Sequence, residues 1–145
     1  MSELKIINGE FSSVLPLDAV PAIRAGYPSL AADYQHEPID FNRDMIKHPS
    51  TSFYAQVRGD SMIDAGIKSG DLVIVDRSLF ANNGDVVVAF INGEFTIKYF
   101  DDTHKEEGYV ELVPGNEKYQ PIKISAADQF FIWGVVTWHL HKWRD

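Results

Sequence analysis

The sequence predicts a mainly β domain, partly barrel-like and partly open, with one or two short helices and an extended N-terminal arm. Three observations carry that expectation. From Phe53 onward, short apolar runs follow one another at regular spacing, each bounded by Gly, Pro, Asn or Asp, as in sandwiches and barrels. No sustained 3.6-residue apolar period interrupts them. Finally, 145 residues, 45% hydrophobic and 23% charged, suit one domain able to bury a core.

The elements follow in chain order. Residues 1–32 read as an arm outside the compact core. Asn8-Gly9 signals a turn, Pro16, Pro21 and Pro28 break any helix, and the apolar residues keep no period. Residues 40–48 suit one short helix with Asp40 or Asn42 as N-cap and Lys47 and His48 in the last turn, stopped by Pro49. Strands are expected at Phe53–Val57, Leu72–Asp76, Val86–Ile91, Glu94–Phe100, Tyr109–Val113, Ile122–Ile124 and Phe130–Leu140. Asn92-Gly93 is a two-residue hairpin signal, and Gly134 marks a bulge in the last strand. No internal repeat is visible.

Composition narrows the function. A net charge of −8 argues against free nucleic acid as the main partner, since phosphate binding needs clustered Lys and Arg. The absence of cysteine excludes a disulfide framework and thiol chemistry. The first residues lack the pattern of a secretion signal, and no run approaches the roughly 20 apolar residues of a membrane span. A soluble, cytoplasmic protein is the expectation.

Two residues stand out chemically. Ser61 lies on the turn Arg58-Gly59-Asp60-Ser61-Met62, between two apolar runs, and Lys98 lies in Glu94-Phe95-Thr96-Ile97-Lys98-Tyr99-Phe100. A serine hydroxyl is a poor nucleophile at neutral pH unless a base takes its proton. A lysine can be that base when its amine is neutral, a form that burial among apolar groups favours. Alternation puts Thr96, Lys98 and Phe100 on one face of their strand and Phe95, Ile97 and Tyr99 on the other. Each residue alone has an ordinary reading, a turn serine or a solvated strand lysine. The serine is also outside a Gly-x-Ser-x-Gly elbow, because Ile63 stands at the second glycine position.

The turn Gly59-Asp60-Ser61-Met62 is joined by Gly70-Asp71-Leu72, Gly84-Asp85-Val86-Val87 and Gly93-Glu94-Phe95-Thr96-Ile97-Lys98. Together, and in this order, they resemble the LexA-type self-cleaving serine–lysine peptidases. The resemblance runs from about Gly26 to Val136. Gly26-Tyr27-Pro28-Ser29, Ala31-Ala32-Asp33-Tyr34, His48-Pro49-Ser50 and Val113-Pro114-Gly115-Asn116 with Tyr119 and Pro121-Ile122 favour the branch serving an error-prone DNA polymerase. The resemblance implies a LexA/signal-peptidase-like fold, with Ser61 as nucleophile, Lys98 as general base, and backbone N–H groups around Asp60 and Ser61 stabilising the oxyanion. Ala25-Gly26 would be the scissile bond, so residues 1–25 would be removed and 26–145 would form the peptidase and dimerisation domain. It further implies an SOS-response role. A RecA–single-stranded-DNA filament would promote cleavage, and the shortened homodimer would join a UmuC-type DNA polymerase. No cofactor, metal or sequence-specific DNA contact is expected. Met1 to Ala25 is too short for a helix-turn-helix domain with its own core, which favours the accessory over a repressor.

Other features keep their alternatives. Val14-Leu15-Pro16-Leu17 reads either as a contact for the replication sliding clamp or another partner, or as arm residues without that role. His139 and His141 share a strand face and could bind a metal, but no Cys or third histidine accompanies them at ligand spacing. Asp60, Asp64, Asp71 and Asp85 look like turn and cap residues, and Trp133, Trp138 and Trp143 like core or dimer-face residues. Three rival functions remain: a non-cleaving binding module of the same fold, a LexA-like repressor fragment, and a signal peptidase, which would need a membrane anchor.

Overall fold

The computed structural model describes residues 4–7, 16–19 and 37–145, which form two compact units, one of residues 1–9 and 50–145 and one of residues 10–49. The larger unit holds an eight-stranded antiparallel sheet. Its strands are β1 (Leu4–Ile7), β4 (Ser52–Val57), β5 (Leu72–Asp76), β6 (Val86–Ile91), β7 (Glu94–Asp101), β8 (Val110–Val113), β9 (Ile122–Ile124) and β10 (Phe130–Leu140). In space they run β1-β4-β5-β10-β6-β7-β8-β9, and the sheet curls into a half-barrel, the mainly β fold expected from the sequence. In the smaller unit, β2 (Pro16–Ala19) pairs antiparallel with β3 (Glu37–Asp40), which runs into helix α1 (Phe41–Met45).

Local chemistry explains most boundaries. Asn92 and Gly93 both adopt positive φ (47° and 94°), the geometry of the tight turn whose twist matches a hairpin, and β6 and β7 pair in register from it. The last strand passes between β5 and β6, and its register slips between Ile132 and Gly134 on the β6 side. A Cβ on Gly134 would stand 2.5 Å from Val75 Cγ1 and 3.1 Å from the Asp76 carbonyl, so only glycine fits there. Val73, Ile74 and Val75 are all buried, as suits a strand flanked by β4 and β10. Two apolar clusters result. Val57, Met62, Val73, Val75, Val88 and Ile97 belong to one, Val87, Ala89, Phe100, Leu112 and Val135 to the other, so β7 feeds both through its alternating faces.

The structure corrects the sequence reading in two places. Leu4–Ile7, expected in an arm outside the core, is strand β1: it pairs with Tyr54–Val57 of β4, and Leu4 is 6% exposed within the first cluster. Helix α1 ends at Met45, well before Pro49, because Ile46 already has extended backbone (φ −110°, ψ 97°). Its N-cap is Asp40, whose Oδ1 accepts from the backbone N–H groups of Asn42 and Arg43. The turn at Asn8-Gly9, the prolines at 21 and 28, and Val14 and Leu15 lie outside the described residues. Among the described residues no helix is long and apolar enough to cross a membrane.

Candidate functional site

After β4, the chain from Arg58 to Asp71 makes a loop closed at its base by two backbone bonds. Gly70 N–H donates to the Val57 carbonyl and Val57 N–H to the Asp71 carbonyl, both at 2.8 Å. Gly59 opens the loop at φ 94°, a value an L side chain rarely tolerates. Met62 anchors it, being 1% exposed and packed in the first apolar cluster, with its carbonyl accepting from Ala65 N–H and Ile67 N–H. The residue before this anchor is Ser61, so the serine cannot drift without pulling Met62 from the core. Burial of a side chain of that size is worth about 1.5–3 kcal/mol.

Lys98 reaches the same point from β7. Its Nζ lies 3.0 Å from Ser61 Oγ, 2.7 Å from Thr96 Oγ1 and 3.1 Å from the Ile97 carbonyl. Lys98 is 3% exposed and Ser61 5%. Thr96 precedes Lys98 by two positions, so strand alternation places both on one face and holds the hydroxyl against the amine. An ammonium donates to all three oxygens. A neutral amine donates two hydrogens to Thr96 and Ile97 and turns its lone pair toward the Ser61 hydroxyl, the geometry for taking its proton.

A second loop straps the serine turn from outside. Asn116 Nδ2 donates to the Asp60 carbonyl at 2.9 Å, Tyr119 O–H donates to Asp60 Oδ1 at 2.5 Å, and Gly115 N–H donates to Met62 Sδ at 3.2 Å. In return, Asp64 N–H donates to the Gly115 carbonyl at 2.7 Å. A side chain on Gly115 would press within 3.3 Å of Met62 Cα. Asp64, Gly115, Asn116 and Tyr119 also wall a cavity of about 350 Å³. Residues 114–121 entered the sequence reading only through the resemblance, and their contacts with Asp60 were not foreseen. Nothing in residue type or spacing announces a hydrogen bond across 56 positions.

The remaining candidates sort as follows. Ser61 and Lys98, far apart in sequence, are brought into hydrogen-bond contact. Ala25 and Gly26 lie outside the described residues. His139 and His141 do face one way, and both meet Asp71: His139 Nε2 lies 2.6 Å from Oδ2 and His141 Nδ1 lies 2.5 Å from Oδ1. Asp71 Oδ2 also accepts Lys68 N–H at 2.8 Å. Burial pushes the Asp71 carboxyl up, but the bonds from His141, the Lys68 N–H and His139 outweigh it and hold the group below the ordinary carboxylate range. Among the described residues no group of three or more His, Cys, Asp or Glu is arranged to hold a metal ion. Asp85 is a turn residue whose Oδ2 accepts Asn82 N–H at 2.8 Å. Trp133 packs on Phe53 and Phe95 at the first cluster, whereas Trp138 is half-exposed and Trp143 is 90% exposed, so neither of these two is a core residue.

Comparison with known proteins gives a consistent set of relatives. The model of the family described as Peptidase S24-like matches residues 18–137. The chain is similar to the LexA repressor of Clostridium perfringens, 38% identical over 120 residues, which are 83% of this chain and 58% of the repressor. It is also similar to Protein SamA of Salmonella typhimurium, 38% identical over 121 residues, covering 83% of this chain and 81% of that protein. Protein ImpA of Salmonella typhimurium is 35% identical over 138 residues, 95% of this chain and 91% of ImpA. The chain thus spans about three fifths of the repressors it matches and most of SamA and ImpA.

Proposed function

The chain belongs to the Peptidase S24-like family, and we propose that it is a UmuD-like member whose Ser61–Lys98 dyad cleaves its own Ala25-Gly26 bond. The observation that carries this reading is the 3.0 Å contact between Lys98 Nζ and Ser61 Oγ in a buried setting. The neutral Lys98 amine takes the Ser61 proton as Oγ attacks the Ala25 carbonyl carbon. The oxyanion of the tetrahedral intermediate is met by backbone N–H groups at Asp60 and Ser61. Collapse breaks the Ala25–Gly26 bond while the Lys98 ammonium protonates the leaving Gly26 amine. Water then hydrolyses the ester between Ser61 and Ala25, with the amine again as base. Because substrate and catalyst share one chain, or two copies of it, proximity replaces substrate capture.

In this reading a RecA–single-stranded-DNA filament acts by shifting the arm into the cleft. The product Gly26–Asp145 pairs as a homodimer and serves a UmuC-type translesion polymerase in the SOS response, while in the uncleaved chain Val14-Leu15-Pro16-Leu17 of the arm is a sliding-clamp contact. The similarity to SamA and ImpA over most of their length supports the accessory role. The similarity to LexA supports a second reading, the catalytic part of a repressor. Capture of the polymerase by Gly26–Asp145 separates the two.

The decisive experiment is an intact-mass time course at about pH 10, near the ordinary lysine value, with Ser61→Ala and Lys98→Ala alongside. Loss of residues 1–25 from the parent alone is the expected result. Three intact proteins, unchanged after RecA, ATP and single-stranded DNA are added, would leave a binding module of the same fold.

A further inference from the structure

We propose that Asn116 and Tyr119 are positioning residues that set the direction of the oxyanion-donating peptide, an inference resting on the peptidase reading above. The Asp60 carbonyl and the Ser61 N–H belong to one peptide unit. That unit is planar and trans, so the carbonyl and the N–H point in opposite directions. Whatever pins the Asp60 oxygen therefore aims the Ser61 N–H. Two donors pin it: Asn116 Nδ2 at 2.9 Å, and Ile63 N–H, within the turn itself, at 3.2 Å. Tyr119 O–H holds the Asp60 side chain at 2.5 Å, so the same residue is gripped at backbone and carboxylate from one loop.

The strap is braced in turn. Asn116 Oδ1 accepts Lys118 N–H at 3.0 Å, which orients the amide so that its NH₂ faces Asp60. The Gly115 bonds to Met62 and Asp64 tie the strap to the residues that directly follow the serine. An oxyanion donor works because it is aimed before charge develops. The strap supplies that aim without touching the reacting atoms.

The test uses the full chain and compares Asn116→Asp, Asn116→Ala and Tyr119→Phe with the parent, following self-cleavage by intact mass from neutral to alkaline pH. Asn116→Asp keeps the acceptor for Lys118 N–H, removes the donor to Asp60 and adds a charge, while Asn116→Ala removes donor and acceptor and adds none. Both should lower the alkaline rate about 10- to 100-fold, below the full loss of an oxyanion donor. Tyr119→Phe should lower it about 3- to 10-fold, the scale of one lost hydrogen bond. The pH at which the rate is half its alkaline value should not move, because the proton acceptor is untouched. A general loosening of the serine loop would let water reach Lys98 and shift that midpoint, which would overturn the proposal. Slowing confined to Asn116→Asp would mark an added charge, and slowing confined to Asn116→Ala a disrupted turn; either also overturns it. A parent that cleaves while all variants keep pace refutes the strap and leaves the dyad standing. A parent that stays intact refutes both.

Discussion

Lys98 and Asp71 are equally withdrawn from water, each 3% exposed, yet the larger unit treats the two groups differently. Around Lys98 stand two hydroxyls and a backbone carbonyl, groups that suit either form of the amine. Around Asp71 stand two imidazoles and a backbone N–H, each bonded to a carboxylate oxygen. The three bonds favour the charged carboxylate, whereas the proton exchange proposed for Ser61 and Lys98 would rearrange donors and acceptors in place. The imidazoles also reach solvent, with side chains 30% and 36% exposed, while Ser61 and Thr96 are buried with the amine. One site favours a fixed charge, and the other has the partners for the proton exchange proposed above.

Replacing Lys98 by Met breaks the comparison most severely. Self-cleavage should fall by about 10³-fold or more, the scale of losing a member of a catalytic unit. Stability should hold or rise by about 1 kcal/mol, because a well-packed apolar residue replaces a buried polar amine. Intact mass and a thermal melt read the two effects on one sample. A Tm that drops by many degrees would mean that Lys98 is a structural tether, and the distinction from Asp71 would disappear.

Much of the sheet was legible because its signals are local. Leu72–Asp76, Val86–Ile91, Ile122–Ile124 and Phe130–Leu140 stand where runs of β-formers end in turn residues, and Asn92-Gly93 sets its hairpin through its own backbone angles. Leu4–Ile7 was not legible, since four residues become a strand only by meeting β4 some fifty positions away. The end of α1 was missed because Pro49 is a stop signal but Ile46 had already left the helix. Ser61 and Lys98 are a different case: the separation of 37 positions carries no local meaning, and the pairing came from resemblance. The strap from Asn116 and Tyr119, and the meeting of both histidines on Asp71, depend on tertiary closure. Residue type alone identified Asp71 as a turn residue, and Lys68 N–H bears that out.

Asp71→Asn probes the other half of the comparison. The carboxyl is held below its ordinary range in the folded protein, so it adds stability above the unfolded value and loses that contribution as pH falls through the folded one. At neutral pH the variant should therefore be less stable than the parent, by about 1–3 kcal/mol for charge-assisted bonds at a buried group. That gap should shrink below about pH 4, where the parent's carboxyl begins to gain its proton as it unfolds. Urea melts at neutral and acid pH measure both. A gap that stays constant to low pH would show that Asp71 contributes through shape rather than charge.

Thr96→Val sharpens the comparison with the smallest effect. Valine keeps the branched shape that β7 needs and takes away one of the oxygens around Lys98 Nζ, leaving the Ile97 carbonyl and Ser61 Oγ. With Thr96 present, two acceptors hold the N–H bonds of the free amine and its lone pair faces the serine. With valine, one N–H loses its anchor, and the amine can rotate that hydrogen toward Ser61 and turn its lone pair away. The cost should be about one hydrogen bond, a roughly tenfold slower alkaline rate. The change in Tm should be only a few degrees, because the strand register and packing remain. A rate equal to the parent's would mean that burial and the Ile97 carbonyl orient the amine without help. A loss as complete as that of Lys98→Met would place the Thr96 hydroxyl in the proton path itself.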